Sequence, residues 1–342
     1  MKAAIYNPYW DTLGGGERYT LSFAKVLSEC GIAVDIECKD RDLLRKLEER
    51  FGIKIHNVKI VESVKKGEGY DLCFWVSDGS IPLLHSRNNI LHFQVPFKDV
   101  NGRTLINKMK LFRIKKVICN SKFTKNIIDK EFGINSEVVY PPCDVSKIKP
   151  KRKENIILSV GRFSQLMQSK HQDILIDVFK KLCRKGLEDW KLVLAGGSEV
   201  GSGEFLKILK SKSSGFPIEF IESPDYKTII NLYGISKIFW SASGYGESEV
   251  KNPNKVEHFG ISIVESMAGA CVPIALNAGG YKEIIKISKN GFLWKDLKEL
   301  VKITKRLVAD NRLLRRVSKE AVIRSKAFSY EVFKANVEKI LR

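Results

Sequence analysis

Short apolar runs bounded by glycine, proline or charge recur along the chain, and between them lie longer stretches in which apolar side chains return every third or fourth position. The first run, AAIYNPY, leads through the glycine turn LGGGERY (13–19) into ERYTLSFAKVLSEC, where Tyr19, Phe23, Val26 and Leu27 have helical spacing. Strand, glycine turn and helix open an α/β unit. AVDIEC, DLCFWVS, NILHFQV, KVICNS and SEVVYPP read as further strands. The rhythm then breaks at CDVSKIKPKRKEN, whose prolines and charges continue neither element. It restarts with NIILSVG, the helical QDILIDVFKKLCRKG, and the strands KLVLAGG, PIEFIE, KIFWSAS, CVPIALN and GFLWK.

This order predicts two doubly wound, Rossmann-like α/β domains, one over residues 1–150 and the other over 151–327, with the boundary near 144–155. A chain of 342 residues exceeds the ~100–150 typical of one domain. In such sheets ligands bind beyond the carboxyl ends of the strands, so a cleft between the domains is the expected place for a site.

Charge changes the picture of partners. The 59 basic and 39 acidic side chains give a net +20, which points to anionic ligands such as phosphorylated substrates, anionic lipid or nucleic acid. No nucleic-acid-binding motif or aromatic-interleaved basic stripe is present, so no nucleic-acid partner is expected. In RTLINKMKLFRIKK (103–116), Leu105, Met109 and Phe112 share a helical spacing with bases between them. Such a helix either lies on an anionic membrane surface or packs on its own core. The base-rich 302–326 stretch reads as a solvated helix face. Seven scattered cysteines, with no C-x-x-C pair, suit reduced thiols in a cytoplasmic chain. The opening residues lack the apolar stretch of a signal peptide, and no run approaches the ~20 apolar residues of a membrane span.

Two glycine turns, GGGE and SVGRF (159–163), follow the first strand of each half. Each can bring backbone amides close to a phosphate or can be purely structural. Arg162 and Lys170 flank FSQLMQS after a strand. They offer a fork and a point charge to a diphosphate, though in so basic a chain spacing alone leaves that role open. EHFGISIVES (257–266) carries two glutamates eight positions apart, roughly 80° from each other on a continuous helix, which a shared face does not explain. A helix starting near Gly260 would leave Glu257 in the preceding loop and Glu265 inside. Amides at the helix start would then favour a phosphate, and the carboxylates would grip different parts of one extended, hydroxyl-rich ligand.

EHFGISIVE resembles the E-x7-E motif of the family 4 glycosyltransferases, retaining enzymes of the GT-B fold. The ordered set GGGERY, ICNSKFTKNII, VVYPP, ILSVGRF with Lys170, KLVLAGG and EHFGISIVESMAGACVPIALNAGGYKEII extends the resemblance over most of the chain. It implies that Glu257 contacts the donor sugar, Glu265 the nucleotide ribose, and Arg162 and Lys170 the diphosphate, with amides around Phe259, Gly260 and Ile261. It further implies that Gly15 and Gly16 approach the phosphates or the acceptor. His92, read as following a strand, would stand beside the transferred sugar, although a histidine at that point is otherwise a satisfied strand-end residue. Where relatives often carry a histidine this chain has Ser241, and FSYEVFKANVEKILR (about 328–342) would form a helix returning to the first domain.

The resemblance is closest to GDP-mannose-dependent mannosyltransferases of lipid-linked oligosaccharide assembly, which implies a GDP-mannose donor and a glycan or lipid-linked acceptor. UDP-glucose or UDP-N-acetylglucosamine transfer, or a nucleotide-sugar epimerase of the same fold, are the alternatives. No metal or other cofactor is expected. Asp40 and Asp42 in DRD read as a helix cap rather than a metal site, and Arg162 and Lys170 can supply the leaving-group charge. The expected location is cytoplasmic, peripheral on the membrane face.

Overall fold

The structure is a computed structural model that describes residues 1–10, 14–164, 169–197 and 203–342. Leu13 of the first glycine turn and residues 165–168 of FSQLMQS lie outside the described residues. The chain divides into two compact units, Met1–Pro142 with Tyr330–Arg342, and Cys143–Ser329.

The first unit runs β1 (Lys2–Tyr6), α1 (Gly15–Glu29), β2 (Ala33–Glu37), α2 (Leu43–Phe51), β3 (Val58–Val61), β4 (Leu72–Val76), β5 (Asn88–Phe93), α3 (Leu105–Leu111), β6 (Lys116–Cys119), α4 (Lys122–Phe132) and β7 (Glu137–Val138). Its strands form one parallel sheet in the order β3-β2-β1-β4-β5-β6-β7. Helices on its faces bury both sides, and so Ala3, Ala4 and Ile5 of β1 and Phe74 and Val76 of β4 are all enclosed. β3 is the strand that periodicity missed. Its VKIV is an edge strand with Lys59 exposed and no fully buried side chain, so its apolar signal is weak. Asp42 holds the N-cap position of α2 without a side-chain cap bond, while Asp40 accepts from the Asp42 amide at 3.0 Å and pairs with Lys46 at 2.6 Å. Asp40 therefore supplies the side-chain hydrogen bonds at the start of α2, and Asp42 its N-cap backbone.

The second unit repeats the plan with β8 (Glu154–Val160), α5 (Gln172–Cys183), β9 (Lys191–Gly196), α6 (Gly203–Ser213), β10 (Ile218–Glu222), α7 (Tyr226–Ile235), β11 (Ser236–Ser241), α8 (Ile261–Ala268), β12 (Val272–Leu276), α9 (Tyr281–Ile284), β13 (Phe292–Trp294), α10 (Leu297–Ala309) and α11 (Asn311–Ser325). Its parallel sheet has the order β10-β9-β8-β11-β12-β13. In both sheets the order reverses beside the first strand, between β1 and β4 and between β8 and β11. This is the switch point where a doubly wound sheet opens a crevice. The base-rich 302–326 stretch spans parts of α10 and α11, which bury Thr304, Leu307, Leu313, Leu314, Val317 and Ala321 and leave most of their bases outward.

The division falls at Pro142/Cys143, earlier than the 150/151 suggested by the proline-rich break. The cause is packing. Cys143 donates its amide to Phe328 O at 2.9 Å and bridges Ser329, Tyr226 Oη donates to the Asp144 carboxylate at 2.5 Å, and Ile148 is buried. The break is thus part of the second unit, which continues through Ser329. The last helix, α12 (Tyr330–Leu341), belongs to the first unit. It sets Phe333, Val337 and Ile340 into that core, with Phe333 edge-on to Tyr19 at 5.2 Å and Lys334 paired to Glu29 at 2.8 Å.

Candidate active site at the second switch point

Two loops meet beyond the carboxyl ends of β8 and β11. The first leaves β8 at Gly161, whose amide donates to Ala195 O of the neighbouring strand at 2.9 Å, while the Phe163 amide donates to Gly197 O at 2.9 Å. Arg162 lies between these two fixed points and its carbonyl accepts Gln172 Nε2 at 2.9 Å. A Cβ built on Gly161 would lie 2.6 Å from Lys170 Cγ, so the lysine stem crosses directly over the start of the turn. The next residue, His171, is held left-handed at φ 49°. That conformation costs a non-glycine residue about 1–2 kcal/mol, and it ends the turn just before α5.

The second loop carries Glu257. Lys170 Nζ donates to Glu257 Oε2 at 2.8 Å, joining the β8 and β11 sides of the switch point. The two side chains are 22% and 16% exposed, so the pair is partly dehydrated. Burial pushes the Glu257 carboxyl upward. The Lys170 charge and hydrogen bond, with smaller help from His258 and Tyr281, outweigh burial and hold it below the usual carboxylate value. An intact buried pair adds little net stability, but deleting one partner strands the other charge, at a cost of about 3–5 kcal/mol when burial is complete. The pair is therefore better understood as a charge-placement device than as a staple.

Tyr281 completes the cluster. Its fully buried ring brings Oη to 3.4 Å from Glu257 Oε2 and 2.5 Å from Ser241 Oγ. Ser241 therefore anchors the tyrosine that contacts the glutamate. Burial and the Glu257 charge push the Tyr281 phenol well above its ordinary value, so it stays a donor. Sequence reasoning missed this residue. The signal was the glycine pair before it: a Cβ on Gly279 would stand 2.1 Å from Glu257 O, and one on Gly280 2.4 Å from His258 O. Only glycines let NAGGY lie backbone to backbone against the EHF loop, where the Gly280 amide donates to Glu257 O at 2.9 Å.

α8 begins at Ile261, after Gly260 at φ 112°. A Cβ on Gly260 would meet Tyr281 Cε1 at 2.7 Å, so conformation and space both demand glycine. Glu257 is thus in the loop, and Glu265 is one turn inside the helix, 8% exposed. The side chain of Phe259 is buried edge-on against Phe328 at 5.3 Å, so only its backbone is available to a ligand. Arg162, Lys170, Glu257, Gly260, Ile261 and Glu265 all belong to the loops and helix start at this switch point.

The first unit's candidates are organised differently. Gly15 opens α1, and the Gly14 amide donates to Glu17 Oε2 at 2.9 Å. His92 does not follow β5. It is the fifth of six residues in that strand, has no exposed surface, and stacks on Tyr19 at 4.2 Å with Phe74 at 5.6 Å on the same aromatic column. Burial lowers its ring to about 3, so it is neutral. The reading of His92 as following the strand is corrected: it lies inside β5, its ring enclosed by aromatic residues. The side chain from this segment that reaches the glycine turn is Gln94, two residues on and just past the strand. A Cβ on Gly16 would lie 2.2 Å from Gln94 Oε1.

Two Rossmann-like domains in one chain, the second with a charged switch point, are the architecture of the GT-B fold. Crystalline Anabaena Alr3699/HepE, solved with UDP and glucose, has the same fold: TM-score 0.77, 19% identity, 100% of this chain and 99% of that one. Residues 144–324 match the family described as Glycosyl transferases group 1, which is more than half the chain, and the protein belongs to that family. The mouse GDP-Man:Man(3)GlcNAc(2)-PP-Dol alpha-1,2-mannosyltransferase is 31% identical over 189 residues, 51% of this chain and 36% of that protein. The human enzyme of the same name is 28% identical over 249 residues, covering 66% and 49%. The chain thus spans a third to a half of the length of these curated relatives.

Proposed function

We propose that the protein transfers mannose from GDP-mannose to a glycan or lipid-linked acceptor, with retention at the anomeric carbon. The observation that carries the reading is the Lys170–Glu257 pair across the second switch point, next to Arg162 and the start of α8. The names of the mouse and human relatives support the donor and the acceptor class. In this reading the second unit binds the donor and the first the acceptor. The diphosphate lies on Lys170, Arg162 and the amides of Phe259, Gly260 and Ile261. Glu265 takes ribose hydroxyls, and Glu257 takes hydroxyls of the sugar.

The geometry suggests the order of events. A diphosphate that reaches Lys170 shares its ammonium with Glu257, and the other carboxylate oxygen then turns toward sugar hydroxyls while Tyr281 Oη keeps its bond to the same Oε2 that Lys170 holds. As the bond between the anomeric carbon and the diphosphate oxygen breaks, negative charge grows where Lys170 and Arg162 stand. The departing oxygen takes the acceptor hydroxyl proton on the same face, so the new bond keeps the original configuration. No divalent ion is needed if the two bases carry that charge, and transfer should survive chelation by EDTA.

Thermal-shift measurements with GDP-mannose, UDP-glucose and UDP-N-acetylglucosamine test the donor. At one hundred times its Kd the true donor stabilises the native state by about 2.7 kcal/mol. A shift from a uridine sugar alone would remove GDP-mannose. No shift from any of the three would remove glycosyl transfer.

A further inference from the structure

The helix α3 turns its apolar face outward. Leu105 is 74% exposed, Ile106 65%, Met109 62% and Phe112 90%, and none of its seven residues is buried. At about 100° per residue, Phe112, Leu105, Met109 and Ile106 occupy one arc of roughly 120°. Phe112 keeps helical backbone angles at the C-cap and so stays on this arc. Lys108 and Lys110 fall on its two borders. The opposite side holds the helix down, with Asn107 Nδ2 donating to Gly102 O at 3.2 Å and Leu111 packed against the cluster of Leu91, Phe93 and Phe132. Residues 103–116 as a whole are equally one-sided in charge, with six bases and no acid.

We propose that α3 docks the protein on an anionic bilayer: the Leu105–Ile106–Met109–Phe112 arc enters the boundary between headgroups and acyl chains, and Lys108 and Lys110 lie against lipid phosphates. Of the two roles open to an amphipathic segment, packing on its own core is ruled out by the exposure of all four apolar side chains. Charge then selects the occupant. A second copy meeting this face through a two-fold axis would bring Lys108 and Lys110 against the same two lysines, whereas an anionic membrane neutralises them and also covers the apolar arc. A nucleic acid would satisfy the bases and leave the four apolar side chains in water. Membrane docking gives a purpose to the lipid-linked acceptor and rests on that reading only for its purpose, because binding is measured with neither donor nor acceptor present.

The test is flotation of the whole protein with vesicles of phosphatidylcholine alone or of phosphatidylcholine and phosphatidylglycerol in equal parts. Wild type is expected to float with the mixed vesicles and to remain below with phosphatidylcholine alone. The double variant Ile106→Ser/Phe112→Ser should reduce the vesicle-bound fraction about tenfold. Lys108→Glu/Lys110→Glu should reduce it as well and flatten its salt dependence. Melting temperature and the GDP-mannose shift should be unchanged in both variants, which separates a failure of docking from a failure of donor binding. Absence of wild-type binding to the mixed vesicles, or undiminished binding by the serine variant, would overturn the proposal. So would sedimentation showing that this variant converts a dimer into monomers.

Discussion

Beyond the carboxyl ends of β1 and β5, the first unit presents Gly14–Gly16 and the Gln94 amide over a closed column of Tyr19, His92 and Phe74. Beyond β8 and β11, the second unit presents Arg162, Lys170 and Glu257, backed by Tyr281 and Ser241. The strand order around the two switch points is the same. One sheet buries the charges of its turn, Glu17 and Arg18, at the helix start, with Glu17 accepting from the Gly14 amide, while the other leaves Lys170 and Glu257 partly exposed and held in place by a hydrogen bond. Topology therefore decides where loops converge, and the few side chains on those loops decide what can be held there. The second end can offer charge to an anion, and the glycine end suits a ligand that is approached closely by backbone.

The largest expected effect comes from removing the charges at the second switch point. Lys170→Ala/Glu265→Ala should lower kcat/KM by about 100- to 1,000-fold, the usual scale for deleting a preorganised electrostatic contact, while circular dichroism stays native. Wild-type donor affinity in that folded variant would end the site assignment. Lys170→Ala alone also has a pH signature. Glu257 lies below its ordinary value because of Lys170, so its contribution to stability is present above the unfolded carboxylate pKa and is lost as pH falls through the lower folded value. Without Lys170, burial is the largest remaining influence and lifts the folded carboxyl, so the acid loss should disappear or reverse, with stability gained as pH falls through the raised value in a melting-temperature profile.

Gly260→Ala comes next, because the side chain meets the Tyr281 ring and must adopt φ 112°. It should cost about 1–3 kcal/mol of stability, read by urea unfolding. Unchanged stability would mean that the Tyr281 wall is soft. The smallest effect belongs to the glycine end. His92→Phe preserves the ring stack and should leave donor affinity within about twofold. Its signature is again in pH. A buried ring that titrates near 3 rather than 6.5 binds no proton over the interval in which the unfolded chain does. Wild-type stability should therefore fall with acidity by up to about 1.4 kcal/mol per pH unit across that window, and the phenylalanine variant should not show this component. A collapse in turnover with His92→Phe would restore the histidine to the chemistry and erase the contrast between the two ends.

Much of this was legible in the chain. Twelve of the thirteen described strands stand out as apolar runs, most clearly the central ones that a parallel sheet covered on both faces demands; β3, a four-residue edge strand interrupted by Lys59, did not. The split of EHFGISIVES into loop and helix followed from Gly260 and the angle between its glutamates. Two contributions lay beyond local reading. Tyr281 reaches Glu257 from the far side of β12, and only the close approach of Gly279 and Gly280 to the EHF backbone reveals it. His92 and Gln94 share a strand's alternation, so the pattern could not say that one is sealed inside β5 while the other clears its end.

The return of α12 to the first core has a consequence for synthesis. The first unit's sheet is fully translated by Pro142, yet Phe333, Val337 and Ile340 of its core follow only after the whole of Cys143–Ser329. A nascent chain must carry an apolar groove along α1 open to water, next to Tyr19, while the second unit is being made. The second unit is one uninterrupted segment and can close as soon as it clears the ribosome. Domain-by-domain folding from the amino end is the usual order, and here the threading reverses it: the segment translated later is the first that can finish.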